Sequence, residues 1–187
     1  ELLESLSVYD DEHAAALRFP VQLVARHNGH EANDFRGYMG RVESGTVRKG
    51  DKLVVQPNGH TATVKDILTL DGSLESASAG KSITLLLDEY VDISRGDMLA
   101  AADAPATALK NFSADVCWLS EEPLDLRRKY WLKHTTRQVA AKITAIDSLL
   151  DINTQQRHEG GELKLNGIAR IQVTVQQPLA ADAYDAN

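Results

Sequence analysis

From Phe19 onward, apolar and polar residues alternate over short stretches divided by turn-forming residues, the pattern of half-buried β-strands. The clearest stretch is 169–176, where Ile171, Val173 and Val175 alternate with Arg170, Gln172, Thr174 and Gln176. The same reading predicts strands at 19–26, 38–43, 52–56, 61–70, 82–87, 113–119 and 137–146. Between them stand Asn28-Gly29, Ser44-Gly45, Lys49-Gly50-Asp51, Pro57-Asn58-Gly59 and Asp71-Gly72, whose Gly and Asn tolerate the positive φ of tight turns. Strands at about ten-residue spacing with a turn after each predict an all-β fold of small barrels.

The ends of that pattern set the expected organisation. Leu2, Leu3 and Leu6 suit one helical face and lead into acidic residues, so 1–17 reads as the end of an upstream helix and a linker. The turn Arg95-Gly96-Asp97 precedes an Ala-rich piece at 100–108 that Pro105 interrupts, which reads as a connection between domains. The first barrel is expected over 18–104 and the second over 105–187.

Composition excludes several function classes. Hydrophobic residues make up 43% of the 187, enough for a real core, so disorder is excluded. Lys and Arg number 20 against 27 Asp and Glu, a net charge of −7 that argues against bulk binding of nucleic acid or anionic membranes and leaves room only for a local basic patch. The longest apolar runs, such as Ile83 to Leu87, fall far short of the ~18 residues of a spanning helix. The lone Cys117 has no partner for an internal disulfide, which fits a reducing compartment, the cytoplasm. The chain starts at Glu1 with the acidic stretch ELLESLSVYDDEH, unlike a secretory signal, and the expectation is a piece of a longer protein.

Motifs with chemical overtones resolve into turns and loops. Ser78-Ala79-Gly80-Lys81-Ser82 ends like a phosphate-binding loop, but Glu75 stands where that loop needs Gly, and the following Ile83-Thr84-Leu85-Leu86-Leu87 reads as a strand rather than a helix. Asp34-Phe35-Arg36-Gly37 has the Asp-x-x-Gly form of a γ-phosphate sensor, a match that chance supplies about once in such a composition and that lacks a phosphate loop to join. No Asn-Lys-x-Asp guanine-reading motif is present. His27 and His30, with Glu31 and Asp34, lack the Cys pair or second His pair of a zinc site and read as a polar loop. His158-Glu159 misses the second His of a zincin motif and is followed by two glycines. Cys117 beside Trp118 reads as a buried thiol, and Glu121 and Glu122 before Pro123 as solvated turn residues. Neither catalytic, cofactor-binding nor metal residues are therefore expected in this chain. One basic stretch stands out: Arg127-Arg128-Lys129 with Tyr130, Trp131, Lys133, His134 and Arg137. Basic residues interleaved with aromatics can bind RNA or a phosphate by charge and stacking. In an acidic chain, however, the stretch reads first as a strand with cationic stems on its wet side and aromatic rings beneath, and second as a protein interface.

The run Arg36-Gly37-Tyr38-Met39-Gly40-Arg41-Val42-Glu43-Ser44-Gly45-Thr46-Val47-Arg48-Lys49-Gly50-Asp51 resembles the signature of the second domain of translational GTPases, its glycines allowing hairpin turns and close backbone approach. The start Leu2-Leu3-Glu4, Arg18-Phe19-Pro20-Val21-Gln22, Asp34-Phe35-Arg36-Gly37-Tyr38, Asp92-Ile93-Ser94-Arg95-Gly96-Asp97-Met98-Leu99, Ala114-Asp115-Val116-Cys117-Trp118-Leu119 and Leu165-Asn166-Gly167-Ile168-Ala169 together resemble the large, GTPase subunit of bacterial ATP sulfurylase. The resemblance implies two Greek-key-type barrels in tandem, of translational-GTPase domain 2 and domain 3 type, the second lacking a closing hairpin. It implies a parent enzyme of sulfate assimilation that couples GTP hydrolysis to synthesis of adenylyl sulfate from ATP and sulfate. GTP and magnesium would belong to an upstream GTPase domain, and the partners would be that domain and the small catalytic subunit. Contacts are expected from His27, Asp34, Arg36 and Tyr38, and from Arg127, Arg128, Tyr130 and Trp131. The alternative is a pair of tRNA- or RNA-binding barrels from an elongation-factor-type translational GTPase.

Overall fold

A computed structural model of the chain describes residues 15–27 and 35–184. The expected upstream linker up to residue 14, the Asn28-Gly29 turn, and His30, Glu31 and Asp34 lie outside the described residues, as does the side chain of His27. The described residues are β-strands and turns with no α-helix, and they form two units. The first holds the described residues up to Thr107 together with Thr135–Arg137 and those from Ala180 on; the second holds Ala108–His134 and Gln138–Leu179.

The first unit carries β1 (Arg18–His27), β2 (Phe35–Arg41), β3 (Thr46–Arg48), β4 (Lys52–Gln56), β5 (His60–Thr69), β6 (Gly72–Leu74), β7 (Ser76–Ser78), β8 (Ser82–Leu87) and β9 (Met98–Ala101). Its main sheet runs β4-β9-β1-β2-β8-β5-β6, and a β4–β5 ladder closes six of these strands into a barrel. β3 and β7 pair separately, Val47 opposite Ala77. Non-consecutive neighbours, β1 between β9 and β2 and β8 between β2 and β5, give the Greek-key type of connection. The interior is filled by Phe19, Val21, Tyr38, Val42, Val47, Leu53, Val55, Ile67, Leu85, Ile93 and Leu99, each 1% exposed or less.

Strict alternation cannot account for that core, and bulges explain the difference. On β1 the inward residues are Phe19 and Val21, then Val24, while Leu23 is 58% exposed; the ladder to β2 slips between Val21 and Leu23. On β5 they are Ala62 and Val64, then Ile67, with a slip between Val64 and Asp66. One extra residue in a strand moves every later side chain to the other face, so each bulge resets the phase and keeps the apolar set inside. At the β5 bulge, Asp66 accepts hydrogen bonds from the Ile67 N–H (2.8 Å) and the Ser73 hydroxyl (2.6 Å) and pairs with Lys49 (3.2 Å). The Ser73 hydroxyl, helped by the Ile67 amide and Lys49, holds the Asp66 carboxyl below the usual range.

β9 is the main departure from the sequence reading, which places its last residues in a connection between domains. It is a central barrel strand between β4 and β1, with Leu99 and Ala100 fully buried. Its four residues are too few to display a period, and small Ala100 fits where three strands converge. Two polar side chains buried among the described residues of the unit, Arg18 and Gln56, are hydrogen-bonded. Arg18 donates to the carbonyls of Leu17 and Ala104 and forks onto Asp182 at 2.6 and 2.7 Å. Gln56 donates to the Ala106 carbonyl at 2.6 Å and accepts from the Ala106 N–H at 3.0 Å.

The second unit carries β10 (Thr107–Cys117), β11 (Lys129–His134), β12 (Arg137–Leu150), β13 (Arg157–Glu159) and β14 (Ile168–Ala181). The sheet runs β10-β14-β12-β11, with β13 added on β12. Val139, Ala141, Ile143, Leu163, Ala169, Ile171, Val173 and Val175 form its core, with Phe112, Ala114, Val116 and Tyr130 packed against them. Slips at Ile143/Ala145 and Ile146/Ser148 again convert a spacing of two into three, so Ile143, Ile146 and Leu149 reach the same core.

Two glycines let β2 enter this arrangement. A Cβ on Gly40 would stand 2.6 Å from the Pro20 carbonyl oxygen and 2.9 Å from the Phe19 ring, and Gly45, at φ +72°, lies against the backbone of Leu17. Gly40→Ala is expected to destabilise the first unit by about 1–3 kcal/mol, as overpacking does, which urea unfolding of the variant would measure.

Candidate functional site

The expected contact residues fall into two groups, one in each unit. In the first unit, β1 and β2 pair His27 with Phe35 and Arg26 with Arg36. Two arginines directly opposite repel each other, and the Arg36 guanidinium stands 5.8 Å from the centre of the Tyr38 ring, within cation–π reach. The Arg36 Nε is buried without a hydrogen-bond partner among the described residues. Tyr38 is a core residue, 1% exposed, whose hydroxyl donates to the Val91 carbonyl at 3.2 Å. Its expected place among surface contacts is corrected accordingly: two-residue alternation along β2 puts it on the inward phase. Burial pushes the Tyr38 phenol above its usual range; Arg36 and Arg26 oppose the rise and Asp92 adds to it.

In the second unit, the basic stretch is tied to its own loop. Arg127 grips Asp125 with two guanidinium nitrogens, Nε and Nη2, at 3.0 and 3.1 Å, and this fork with the Arg127 N–H holds the Asp125 carboxyl below its usual range. Arg128 pairs with Glu122 at 3.0 Å. The Tyr130 hydroxyl donates to the Asp125 carbonyl (3.0 Å) and accepts from the Asp125 N–H (3.1 Å). Its ring meets Trp118 edge-on, centroids 5.7 Å apart at 89°, and the Trp118 indole N–H donates to the Glu122 carbonyl. Along β11 exposure alternates: Lys129, Trp131 and Lys133 face outward while Tyr130, Leu132 and His134 are half-buried. The expected layout, rings beneath and cations outside, therefore holds for Tyr130 and fails for Trp131, which is 72% exposed.

Cys117 is exposed at the end of β10, not buried, because Phe112, Ala114 and Val116 take the inward phase of that strand. Gly80, at φ +87°, turns the chain between β7 and β8, so the segment ending Gly80-Lys81-Ser82 is a turn entering a strand. Sequence reasoning missed Lys110 and Lys142, which the sheet brings beside Lys129. Their outward strand positions were a signal of exposure but not of which strands are neighbours.

The profile of the family Elongation factor Tu domain 2 matches residues 38–100, and that of the GTP-eEF1A C-terminal domain-like family matches residues 111–187. The chain is thus built from tandem elongation-factor-type barrels. Among solved structures, sup35 complexed with GMPPNP shares this fold with a TM-score of 0.77 at 17% identity, covering 95% of this chain and 43% of that one. Translation elongation factor SelB from Methanococcus maripaludis, in its apo form, gives 0.73 at 18% identity, covering 98% and 40%. Sequence relatives are more specific. Sulfate adenylyltransferase subunit 1 of Tolumonas auensis is 40% identical over 184 residues, 98% of this chain and 38% of that protein. The Aliarcobacter butzleri protein of the same name is 38% identical over 186 residues, 100% of this chain and 39% of its own length. The chain is thus similar along nearly its whole length to part of sulfate adenylyltransferase subunit 1, and it spans less than two fifths of the length of these relatives.

Tyr38 and Tyr130 each generate a test. Since the Tyr38 phenol is neutral when protonated and its folded pKa is raised, the stability it confers is complete below the ordinary value of about 10 and is lost as pH rises through the folded value. Phenolate absorbance during alkaline titration should show one late-ionising tyrosine that Tyr38→Phe removes, at a stability cost of about 0.5–1.5 kcal/mol for the lost hydrogen bond. Tyr130→Phe, which unties both backbone groups of Asp125, should cost about 1–2 kcal/mol by the shift in urea midpoint.

Proposed function

We propose that this chain is the barrel region of the GTPase subunit of a sulfate adenylyltransferase, a binding and coupling module rather than a catalytic one. The observation that carries this reading is the 40% identity to sulfate adenylyltransferase subunit 1 over 98% of the chain. In this reading the parent protein works in the cytoplasm and couples GTP hydrolysis to the synthesis of adenylyl sulfate from ATP and sulfate. GTP and magnesium belong to a GTPase domain upstream. The barrels dock that domain and the small catalytic subunit, so that the nucleotide state favours one arrangement of the docked parts. Tyr38 fits this division of labour as a core residue that stiffens β2 beneath Arg36. The lysines and Trp131 on the outward face of β11 supply surface in the second unit.

Elongation-factor-type RNA binding is the weaker reading, because the solved translation factors that share the fold do so below 20% identity. One experiment separates the two. Added in excess to an assembled two-subunit sulfate adenylyltransferase, the chain should inhibit GTP-stimulated pyrophosphate release in a dose-dependent way and should hydrolyse no GTP alone. Tight tRNA binding whose affinity falls steeply with salt, without such inhibition, would overturn the sulfurylase reading.

A further inference from the structure

The outward face of the second unit's sheet holds a cavity of about 370 Å³ lined by Lys110, Lys129, Ala140, Ala141, Lys142, Thr174, Val175 and Gln176. Lys142 lies directly opposite Thr174 in the β12–β14 ladder, so the two share one face. Lys110 comes from β10 and Lys129 from the first position of β11. Three lysines from three strands thus surround the outward residues Ala140, Thr174 and Gln176, while Ala141 and Val175 reach the groove only from the core beneath, and none of the lining residues is acidic. No ion-pair partner holds any of the three ammonium groups among the described residues, in contrast to Arg127, Arg128 and Arg157, which are paired. Such a patch departs from a chain whose net charge is −7. Two residues beyond Lys129, on the same face of β11, Trp131 leaves 72% of its surface exposed.

We propose that this groove docks an acidic peptide segment of a partner protein, its carboxylates meeting Lys110, Lys129 and Lys142 and an apolar side chain resting against Trp131 and Ala140. The chemistry of the lining favours this occupant over a phosphate. Phosphate sites use convergent backbone N–H groups or arginine forks. Here the backbone groups of β12 and β14 are engaged in their own ladder, and no arginine lines the groove. Lysines spaced around uncharged residues act as separate point charges, which match carboxylates distributed along a peptide. A single-stranded nucleic acid would call for successive stacking platforms, and this face offers one exposed aromatic, Trp131, among the described residues. Nothing in this inference depends on the sulfate-activation reading, and its test uses neither the small subunit nor a nucleotide.

The test is fluorescence anisotropy of the chain with a labelled peptide of Asp, Glu and Leu, against the same peptide with Asn and Gln in place of the acids. The acidic peptide should bind at least ~10-fold tighter, and its affinity should fall with added salt. The triple variant Lys110→Gln, Lys129→Gln, Lys142→Gln should lose ~10-fold or more at an unchanged melting temperature, and Trp131→Ala should lose a few-fold. Equal affinity for the two peptides, or full affinity in the triple variant, would sink the proposal. So would single-stranded poly(U) that binds through the same lysines more tightly than the acidic peptide and displaces it.

Discussion

Because Gly40 sits against the Pro20 carbonyl oxygen and the Phe19 ring, β1 and β2 approach more closely there than any side chain on β2 would permit. That approach lies beside the point where β1 also pairs with β9, Phe19 opposite Leu99. The six-stranded ring closes only if β9 fits between β1 and β4, and β9 fits because its buried residues include Ala100 and its neighbours keep their backbones close. The short interior then fills with medium-sized apolar side chains, none of which reaches water. The buried side chains of Arg18 and Gln56 are tolerated because they are hydrogen-bonded, Arg18 to Asp182 and the Ala104 carbonyl and Gln56 to the Ala106 backbone.

Closure also sets the phase of the strands. A barrel strand has one inward face, and a long twisted strand drifts out of register with its neighbour unless a residue is spared from the ladder. β1, β5 and β12 each spare one or more, and the apolar spacing changes from two to three at those places. The spacings Val21–Val24, Val64–Ile67 and Ile143–Ile146 are visible in the sequence. Their meaning depends on the partner strand, which the sequence does not display.

This explains what could be read in advance. Short apolar runs with a turn on either side, such as 52–56 and 82–87, match β4 and β8 at both ends. Three- and four-residue strands, β3, β6, β7, β9 and β13, carry too little pattern to register and exist because a longer neighbour offers them a ladder. At the candidate surfaces the same limit applies. Composition marked 127–134 as basic and aromatic, but not that Arg127 and Arg128 are held by Asp125 and Glu122, nor that Tyr130 and Trp131 part to opposite faces. Lys110 and Lys142 are isolated in the chain and become neighbours of Lys129 only through pairings across the sheet.

The exposure of Cys117 has a practical side. It is the sole thiol of the chain, it lies on the surface, and it ends the strand that carries Lys110 seven residues earlier. At about 3.3 Å per residue the two are roughly 23 Å apart along β10. A maleimide dye would therefore attach at one defined position, near enough to a labelled peptide in the lysine groove for energy transfer and far enough to leave the groove unobstructed. The molecule already carries a ruler's zero mark.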